Sequence, residues 1–308
     1  MLPEPAAGVV WRAGTADDAD AIADVALAAD RVDEPGNERD RSDVLGVLRL
    51  VEPRTAVVIG ERGGQVVAAG VLFRPGGGPV RMIGAVLPGA RDRGIGRALL
   101  AAQIAAAEAS HPDAPSMTVR AVGRHGVGGL ARRAGLGPER VFLTLRRDLT
   151  EPVASDELPA GLRAVPFEPA LDEAVRVSRN EVFLDHWQAT VTGPDEWRDR
   201  NLGPRLIREL SSIALDAEGA VAGFVLAWRT PARPGQLHIP LVGTPRAHRG
   251  RGVARALLTT TLAGAAAVGL AEAVLDVDAA SATGAVGVYE GVGFAETGRA
   301  TIWSRTPS

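Results

Sequence analysis

The sequence contains an internal duplication, and this feature limits the possible folds more than any other. Gly94 and Gly252 lie 158 positions apart, within the similar stretches RDRGIGRALL and RGRGVARALL. A second pair of motifs, ARRAGL from Ala131 and YEGVGF from Tyr289, is separated by the same distance along the chain. Two motifs at one offset indicate two copies of one structural unit rather than two unrelated domains.

Each copy has the same predicted order of strands and helices. The stretches at 57–73 and 212–228 are each typical of two strands joined by a glycine-containing turn. In the second copy a fourth strand follows at 236–243, a long helix starts near Val253, and a fifth strand is predicted at 271–278. This alternation predicts an α/β fold, an α+β sandwich in which each copy has a mixed, mostly antiparallel sheet flanked by helices.

The boundary between the copies is predicted in LTEPVASDELPAG (149–161), a proline-rich, acidic segment without apolar periodicity. We therefore predict an N-terminal domain at 1–149, a linker at 150–160 and a C-terminal domain at 161–308. A chain of 308 residues is long enough for two domains with cores of their own.

The composition excludes several classes of function. The chain has no cysteine, so it has no disulfide, thiolate metal site or cysteine nucleophile. A formal net charge of -3 gives no reason to expect nucleic acid or an anionic membrane as a partner. The five histidines lack the spacing of metal ligands, and we expect no metal. The first residues do not resemble a signal peptide and the apolar runs are interrupted by Arg, Thr and Gly, so we expect a soluble, cytoplasmic protein.

The two glycine turns have the features of an anion-binding site. Each lies between a predicted strand and a helix whose first N–H groups have no partners within the helix and whose dipole adds positive charge at that end. Glycine lets the backbone approach a ligand closely, and nearby arginines can bind phosphate in a bidentate way. A pyrophosphate would suit such a turn, and a tight turn with solvated arginines is the alternative. The candidate residues are Arg249, Gly250, Arg251, Gly252, Val253 and Ala254 in the second copy and Arg91, Arg93, Gly94, Ile95 and Gly96 in the first.

These turns match neither of two common phosphate-binding motifs. No Lys-Ser/Thr pair follows as in a Walker A loop, and the turn follows a fourth strand rather than opening a dinucleotide-binding unit. The pattern R-x-x-G-x-G/A, followed by Y-E-x-x-G-F, instead resembles the GCN5-related N-acetyltransferase (GNAT) family. Arg249, Gly252 and Ala254 match the family's acyl-CoA pyrophosphate turn. The first copy matches at the corresponding positions, so the resemblance covers nearly the whole chain as two tandem GNAT domains.

The resemblance implies an acyltransferase with acetyl-CoA as the acyl donor. In the family the pantetheine arm lies between two splayed central strands, and backbone groups near Leu241, Val242 and Gly243 would contact the pantetheine and the thioester carbonyl. Tyr289 matches the tyrosine that commonly protonates the CoA sulfur, a transfer that suits a phenol of pKa about 10 and a thiol of pKa about 8.5. A tyrosine packed beside the donor without a proton role is the alternative.

The base is expected on the fourth strand, where His238 lies in QLHIPLVG. Histidine titrates near neutral pH, so it would take a proton from the substrate ammonium directly or through water. A strand histidine that merely packs or faces solvent is the alternative. Asp276 and Asp278 on the fifth strand are alternative bases, unless they are only solvated carboxylates at the end of that strand.

The acceptor site is expected in the segment at 182–197, which in the family closes over the acceptor. Asp185, His186 and Trp187 would bind a polar small molecule that carries an amine, and an amphipathic helix with ordinary aromatic packing is the alternative. The first copy has Ala131 in place of the tyrosine. We therefore expect it to be catalytically silent, and either to hold acyl-CoA or to brace the second copy.

Together these features lead us to expect an acetyl-CoA-dependent N-acetyltransferase, a monomer or homodimer that acts on a primary amine of a small molecule. The amine attacks the thioester directly in a ternary complex. Ala282 and Arg124 depart from the asparagine that is usual in the family before the last helix. The alternatives are acetylation of a cysteinyl amino-sugar conjugate, of an antibiotic or of a polyamine, and a non-catalytic acyl-CoA-binding regulatory protein.

Overall fold

A computed structural model describes the chain at residues 2–4, 6–33, 41–49, 57–74, 77–122, 126–184, 186–189, 191–281 and 283–307. The chain forms two units. The first consists of Met1–Phe142 together with Arg299–Ser308, and the second of Leu143–Gly298.

The helices and strands follow the two copies in order. Those of the first copy are β1 (Val10–Ala13), α1 (Ala19–Asp33), α2 (Arg41–Arg49), β2 (Val57–Arg62), β3 (Gln65–Phe73), β4 (Val80–Val86), α3 (Ile95–Ser110), β5 (Met117–Val122), α4 (Val127–Arg133) and β6 (Gly137–Asp148). Those of the second copy are β7 (Arg163–Pro166), α5 (Asp172–Phe183), α6 (Pro194–Asn201), β8 (Ser212–Leu215), β9 (Val221–Arg229), β10 (Gln236–Gly243), α7 (Val253–Ala267), β11 (Glu272–Asp278), α8 (Ala285–Gly291) and β12 (Ala295–Arg305).

The sheet of the first unit has the order β1-β2-β3-β4-β5 and ends with the last residues of β12. Ala300–Arg305 pair antiparallel with β5, so that Ile302 lies opposite Arg120. Trp303 of this strand is 7% exposed and belongs to the same core cluster as Met117 and Ala131. The first copy therefore fills the sixth position of its sheet with residues from the far end of the chain.

The sheet of the second unit has the order β7-β8-β9-β10-β11 and ends with residues 143–148 of β6. Leu149 N–H, just after β6, donates to the carbonyl of Ala271 at 2.8 Å. Thr144 Oγ1–H donates to Asp276 Oδ1 at 2.7 Å, which ties β6 to β11. The strand that ends the first copy thus completes the sheet of the second unit.

The elements predicted from the sequence are confirmed where the pattern was strongest. Both glycine-turn hairpins form, the fourth strand of the second copy spans Gln236–Gly243, and the long helix begins at Val253. Each sheet is mixed and mostly antiparallel with helices packed on it, as predicted. The units depart from the two copies only in the strands β6 and β12. The domain limits drawn from the repeat stay a prediction.

Helix α7 packs closely on its sheet because glycine faces it. A methyl group built on Gly223 of β9 would lie 2.7 Å from Val253 Cγ1. Val253, Leu257 and Leu258 are at most 1% exposed, and burial of each such side chain contributes about 2 kcal/mol. This packing fixes where the first turn of α7 lies. No helix in the described part of the chain is long and apolar enough to cross a membrane.

Candidate active site

The two central strands of the second unit run parallel and then diverge. Their pairing joins Gln236–His238 to Glu272–Val274. Both strands continue beyond those residues, to Gly243 and Asp278, without further pairing to each other in the described structure. The register of β10 on its other neighbour, β9, also shifts between His238 and Leu241. A gap therefore opens between the strands directly after His238.

Leu241, Val242 and Gly243 lie along this gap. They pair with β9 on one edge, Leu241 opposite Leu226, and their other edge faces the gap. Gly243 is required here, because a methyl group at this position would lie 2.2 Å from the ring of Phe224. One backbone edge of these three residues thus faces the gap. Their contact with the donor stays a prediction.

The glycine turn after β10 leaves the first N–H groups of α7 available. Gly252 precedes the helix in the left-handed region, with φ of +85°, and Gly250 has φ of +71°. No described side chain caps the helix, and the first helical bond runs from Ala256 N–H to the carbonyl of Gly252 at 3.0 Å. Backbone N–H groups at an uncapped helix start form an anion site.

The two arginines of this turn have different surroundings. Arg249 is half-buried, and its Nε–H donates to the carbonyl of Thr244 at 3.0 Å, so it braces the turn. Arg251 is exposed, and its Nη1 lies 3.2 Å from Nδ1 of His248. Arg251 is therefore the guanidinium of this turn that is open to an incoming anion.

The first unit repeats the turn, and the first arginine of this turn forms an ion pair. Gly94 has φ of +80°, α3 begins at Ile95, and no described side chain caps the helix. Arg91 donates through Nε to the carbonyl of Val86 at 3.2 Å, which matches the role of Arg249. Its other two nitrogens contact the carboxylate of Asp33 at 2.6 and 2.9 Å. This bidentate pair neutralises the arginine, while Arg93 is exposed.

Tyr289 lies in α8, which packs against β11 and α7. The ring is 8% exposed and meets Phe294 edge to face, with 6.1 Å between ring centroids. Burial raises the pKa of Tyr289, so the phenol is protonated at neutral pH. It therefore holds a proton that a departing thiolate could take, but burial makes it a weaker acid than the free phenol considered in the sequence analysis. At the corresponding place in the first unit, Ala131 is fully buried.

His238 is buried, 7% exposed, with its ring edge to face against Trp228 at 5.6 Å. Burial lowers its pKa from 6.5 to about 4; the charge of Arg205 lowers it further and that of Asp276 opposes the shift. The imidazole is thus neutral at physiological pH. This departs from the near-neutral titration expected from the sequence, because burial disfavours the charged form.

The two alternative bases hold hydrogen bonds of their own. Asp276 accepts from Thr144 Oγ1, as described for the sheet. Asp278 is 9% exposed, and its Oδ1 accepts from Ala280 N–H at 3.0 Å. Asp278 therefore serves the turn that follows β11 rather than lying solvated at the strand end. No group of three or more potential metal ligands occurs among the described residues.

The expected acceptor segment follows α5, which packs on β9 and β10. His186 stacks on Phe183 at 4.3 Å, and the guanidinium of Arg179 lies over the same ring at 4.8 Å. Trp187 is half-buried, and Asp185 lies outside the described residues. The structure thus shows an aromatic and cationic stack at this place.

Ala282 and Arg124, which depart from the family's asparagine, also lie outside the described residues. The sequence reasoning missed Arg205, whose guanidinium lies 5.3 Å from the centroid of the Trp228 ring and whose charge acts on His238. It also missed the pairing of Asp33 with Arg91. Neither interaction could be predicted from the sequence around these residues, because the partners are brought together only by the fold.

Comparison with known proteins gives consistent matches. Residues 174–294 match the model of the acetyltransferase (GNAT) family. The mycothiol acetyltransferase of Thermobispora bispora is 31% identical over 282 residues, which cover 89% of this chain and 90% of that protein. That of Clavibacter michiganensis is 32% identical over 278 residues, covering 89% and 86% respectively.

Two solved structures match the fold over almost the full length. A GCN5-related N-acetyltransferase from Sphaerobacter thermophilus has a TM-score of 0.76 and 25% identity, covering 99% of this chain and 96% of its own. A tandem GNAT protein from the clavulanic acid biosynthesis pathway has a TM-score of 0.76 and 22% identity, covering 97% and 99%. The tandem arrangement is therefore shared, and the residues that match the family model lie in the second copy.

Proposed function

The chain belongs to the acetyltransferase (GNAT) family, and from that premise we propose that its second unit transfers the acetyl group of acetyl-CoA to a primary amine of a small molecule. The observation that carries this proposal is the protonated phenol of Tyr289, on a helix packed against both β11 and α7. Those two elements border the strand gap and carry the uncapped helix start. This packing supports Tyr289 as the proton donor to the thioester sulfur.

We propose that the donor is held mainly by the backbone. Its pyrophosphate would bind the N–H groups of the turn from Gly250 to Ala254, with Arg251 adding charge. Its pantetheine arm would lie in the gap along Leu241, Val242 and Gly243. The first unit has the same glycine turn at Arg93, Gly94, Ile95 and Gly96 but has no tyrosine. We propose that this unit does not catalyse acetyl transfer.

The proposed reaction is direct and its atoms balance. The amine nitrogen attacks the thioester carbonyl carbon, the new C–N bond forms, and the C–S bond breaks as the tetrahedral intermediate collapses. The departing thiolate takes the phenol proton of Tyr289. The proton lost by the amine nitrogen passes to His238, directly or through water, and returns through solvent to the phenolate. The products are an N-acetyl amide and free CoA.

The low pKa of His238 limits which amines can react. A base with a pKa of about 4 cannot remove a proton from a free ammonium ion efficiently, but it can accept one once the nitrogen has attacked. The amine must therefore arrive neutral. An α-amino group, with a pKa of about 8, meets this condition far more often at neutral pH than a lysine-like amine, with a pKa of about 10.4.

We therefore favour an α-amino acceptor over a polyamine. The cysteinyl amine of an amino-sugar conjugate is such a group, and the similarity to mycothiol acetyltransferases supports this narrower assignment. His186, Trp187 and Asp185 stay proposed contacts of that acceptor.

The first test is a calorimetric titration with acetyl-CoA, which needs no knowledge of the acceptor. We expect binding that is lost when Gly252 and Arg249 are replaced. A panel of amines then follows, with the cysteinyl conjugate, amino acids and polyamines compared by kcat/KM. No binding of acetyl-CoA would overturn the proposal. Binding without turnover of any amine would favour an acyl-CoA-binding regulatory protein, a role that the loss of the tyrosine at Ala131 already suggests for the first unit.

A further inference from the structure

The segment that joins the two copies is tied to the second unit at two points. Arg147 Nη2–H donates to the carbonyl of Pro152 at 2.9 Å. Arg255 Nε–H donates to Asp156 Oδ2 at 2.9 Å, and Asp156 N–H donates to Thr259 Oγ1 at 3.3 Å. The linker of residues 150–160 is thus held by two arginines, one at the end of β6 and one in the first turn of α7.

The same two arginines lie beside the turn that follows Tyr289. A methyl group built on Gly293 would lie 1.6 Å from Arg147 Nη1, so the guanidinium fills the space that any other side chain would need. A methyl group on Gly291 would lie 3.8 Å from Arg255 Nη1. Each arginine therefore has the linker on one side and a glycine of the motif YEGVGF on the other.

This turn is directly connected to Tyr289. The N–H groups of Val292 and Phe294 both donate to the carbonyl of Tyr289 at 3.1 Å, and the ring of Phe294 packs against the phenol ring. Gly293 lies between them with φ of +88°, a conformation that disfavours other residues. A displacement of Gly293 would therefore be passed to the backbone and the ring of Tyr289.

The two contacts differ in burial. Arg147 is 8% exposed, whereas the side chains of Arg255 and Asp156 are 49% and 30% exposed. An ion pair as open as the second one adds little to stability. The role of this ion pair is geometric, because it fixes a long side chain that lies near Gly291.

We infer that the linker positions the acid of the reaction: Asp156 through Arg255, and Pro152 through Arg147, hold the turn after α8 so that Tyr289 faces the departing thiolate. Arg147, Arg255 and Asp156 are positioning residues, which touch no reacting atom. The inference rests on the proposed function in assigning Tyr289 as the acid. The contacts themselves do not depend on it.

The chain offers a direct probe of this inference, since Tyr289 is its only tyrosine. Protein grown with tyrosine isotope-labelled at Cζ gives one phenol resonance, and that signal reports the surroundings of Tyr289 without any turnover. The variant is Asp156→Asn, which keeps the size of the side chain and removes its charge. The matched control is Glu157→Gln, the next residue, which is exposed and has no ion pair among the described residues.

We expect Asp156→Asn to move the Tyr289 resonance and to lower kcat roughly fivefold, with KM for acetyl-CoA unchanged. Glu157→Gln should do neither. Arg147→Lys, which retains a cation at Gly293, should retain more activity than Arg147→Met. An unmoved resonance in Asp156→Asn would overturn the inference.

A lower KM for acetyl-CoA with unchanged kcat would also overturn it, because Asp156 would then only screen Arg255 from the donor phosphates. Failure of the proposed function would look different. The wild-type protein would turn over no amine, whereas the resonance would still separate Asp156→Asn from Glu157→Gln.

Discussion

The two units contain the same glycine turn and uncapped helix start and differ in the side chains around them. In both, a helix starts after a glycine in the left-handed region, at φ of +80° in the first unit and +85° in the second. In both, two central strands pair in parallel over two or three residues and then separate. The features that require only glycine and strand geometry are present twice.

The side chains that would perform chemistry occur once. Tyr289 has a fully buried alanine, Ala131, as its counterpart. Arg91 and Arg249 brace their turns in the same way and Arg93 and Arg251 are both exposed, but Arg91 is also paired with Asp33. The comparison teaches that the backbone of the turn is kept where the side chains differ, because the same glycines also let the helix begin where the core needs it.

The variant with the largest expected effect is Tyr289→Phe, which removes the phenol hydroxyl that the first unit also lacks. We expect kcat to fall about 100-fold, the lower range for loss of a general acid, with KM and the calorimetric affinity for acetyl-CoA unchanged. The phenyl ring keeps its contact with Phe294, so the fold should be retained. Undiminished kcat would mean that another group protonates the thiolate.

The second test compares how the units respond to acid. The pKa of His238 falls from 6.5 to about 4 on folding, so between these values the unfolded chain binds a proton that the folded chain does not. Acidification across this range should destabilise the second unit by up to about 3 kcal/mol. In the first unit, hydrogen bonds from Arg12 lower the pKa of Asp18, whose stabilising contribution is lost only below pH 3.8.

Hydrogen exchange measured separately for α7 and α3 at about pH 7 and about pH 5 would check this difference. Protection of α7 should fall further than that of α3, and His238→Asn should reduce the difference. Equal loss in both helices, unchanged by that substitution, would contradict the assignment to His238.

A third test restores the missing ring in the first unit. Ala131→Tyr places a large side chain where the structure has no space, among Met117 and Trp303 of the same core cluster. We expect a loss of about 1–3 kcal/mol in the free energy of unfolding and no new activity. Denaturant unfolding measures the first, and assays in a Tyr289→Phe background measure the second. Acetyl transfer by the double variant would show that the first unit lacks only its acid.

The substitutions with the smallest expected effect compare the two glycine turns directly. Gly252→Ala and Gly94→Ala each force alanine into the left-handed region at a cost of about 1 kcal/mol, and neither methyl group meets another atom within 4 Å. We expect Gly252→Ala to weaken acetyl-CoA binding about tenfold, while Gly94→Ala leaves turnover unchanged. Equal effects on turnover would mean that the first unit takes part in the reaction.

Much of this fold could be predicted from short-range pattern. The glycine turns, the hairpins and the strand from Gln236 to Gly243 each have a local signature, since turn residues and apolar alternation act over a few positions. The proposed donor turn was found in this way. The ion pair of Arg91 was not, because its partner, Asp33, lies 58 positions away in the sequence.

The parts that escaped prediction depend on residues distant in sequence. The low pKa of His238 follows from burial and from Arg205 and Asp276, which lie on other elements. The destination of β6 could not be read from its own sequence, since a strand that ends one copy has the same pattern whichever sheet it joins. Gly293 was recognised as part of a motif, but the guanidinium of Arg147 that requires it has no signature in the sequence.

The place of β12 in the first sheet has a consequence for how the protein is made. Ribosomes deliver the chain in order, so residues 299–305 emerge only after the entire second unit has been synthesised. At about 5–20 residues per second, residues 299–305 are added on the order of ten seconds after β5. Throughout that time its edge and the pocket for Trp303 are open to other chains. The domain translated first is thus the one completed last, and nascent-chain chaperones would meet it as an unfinished sheet.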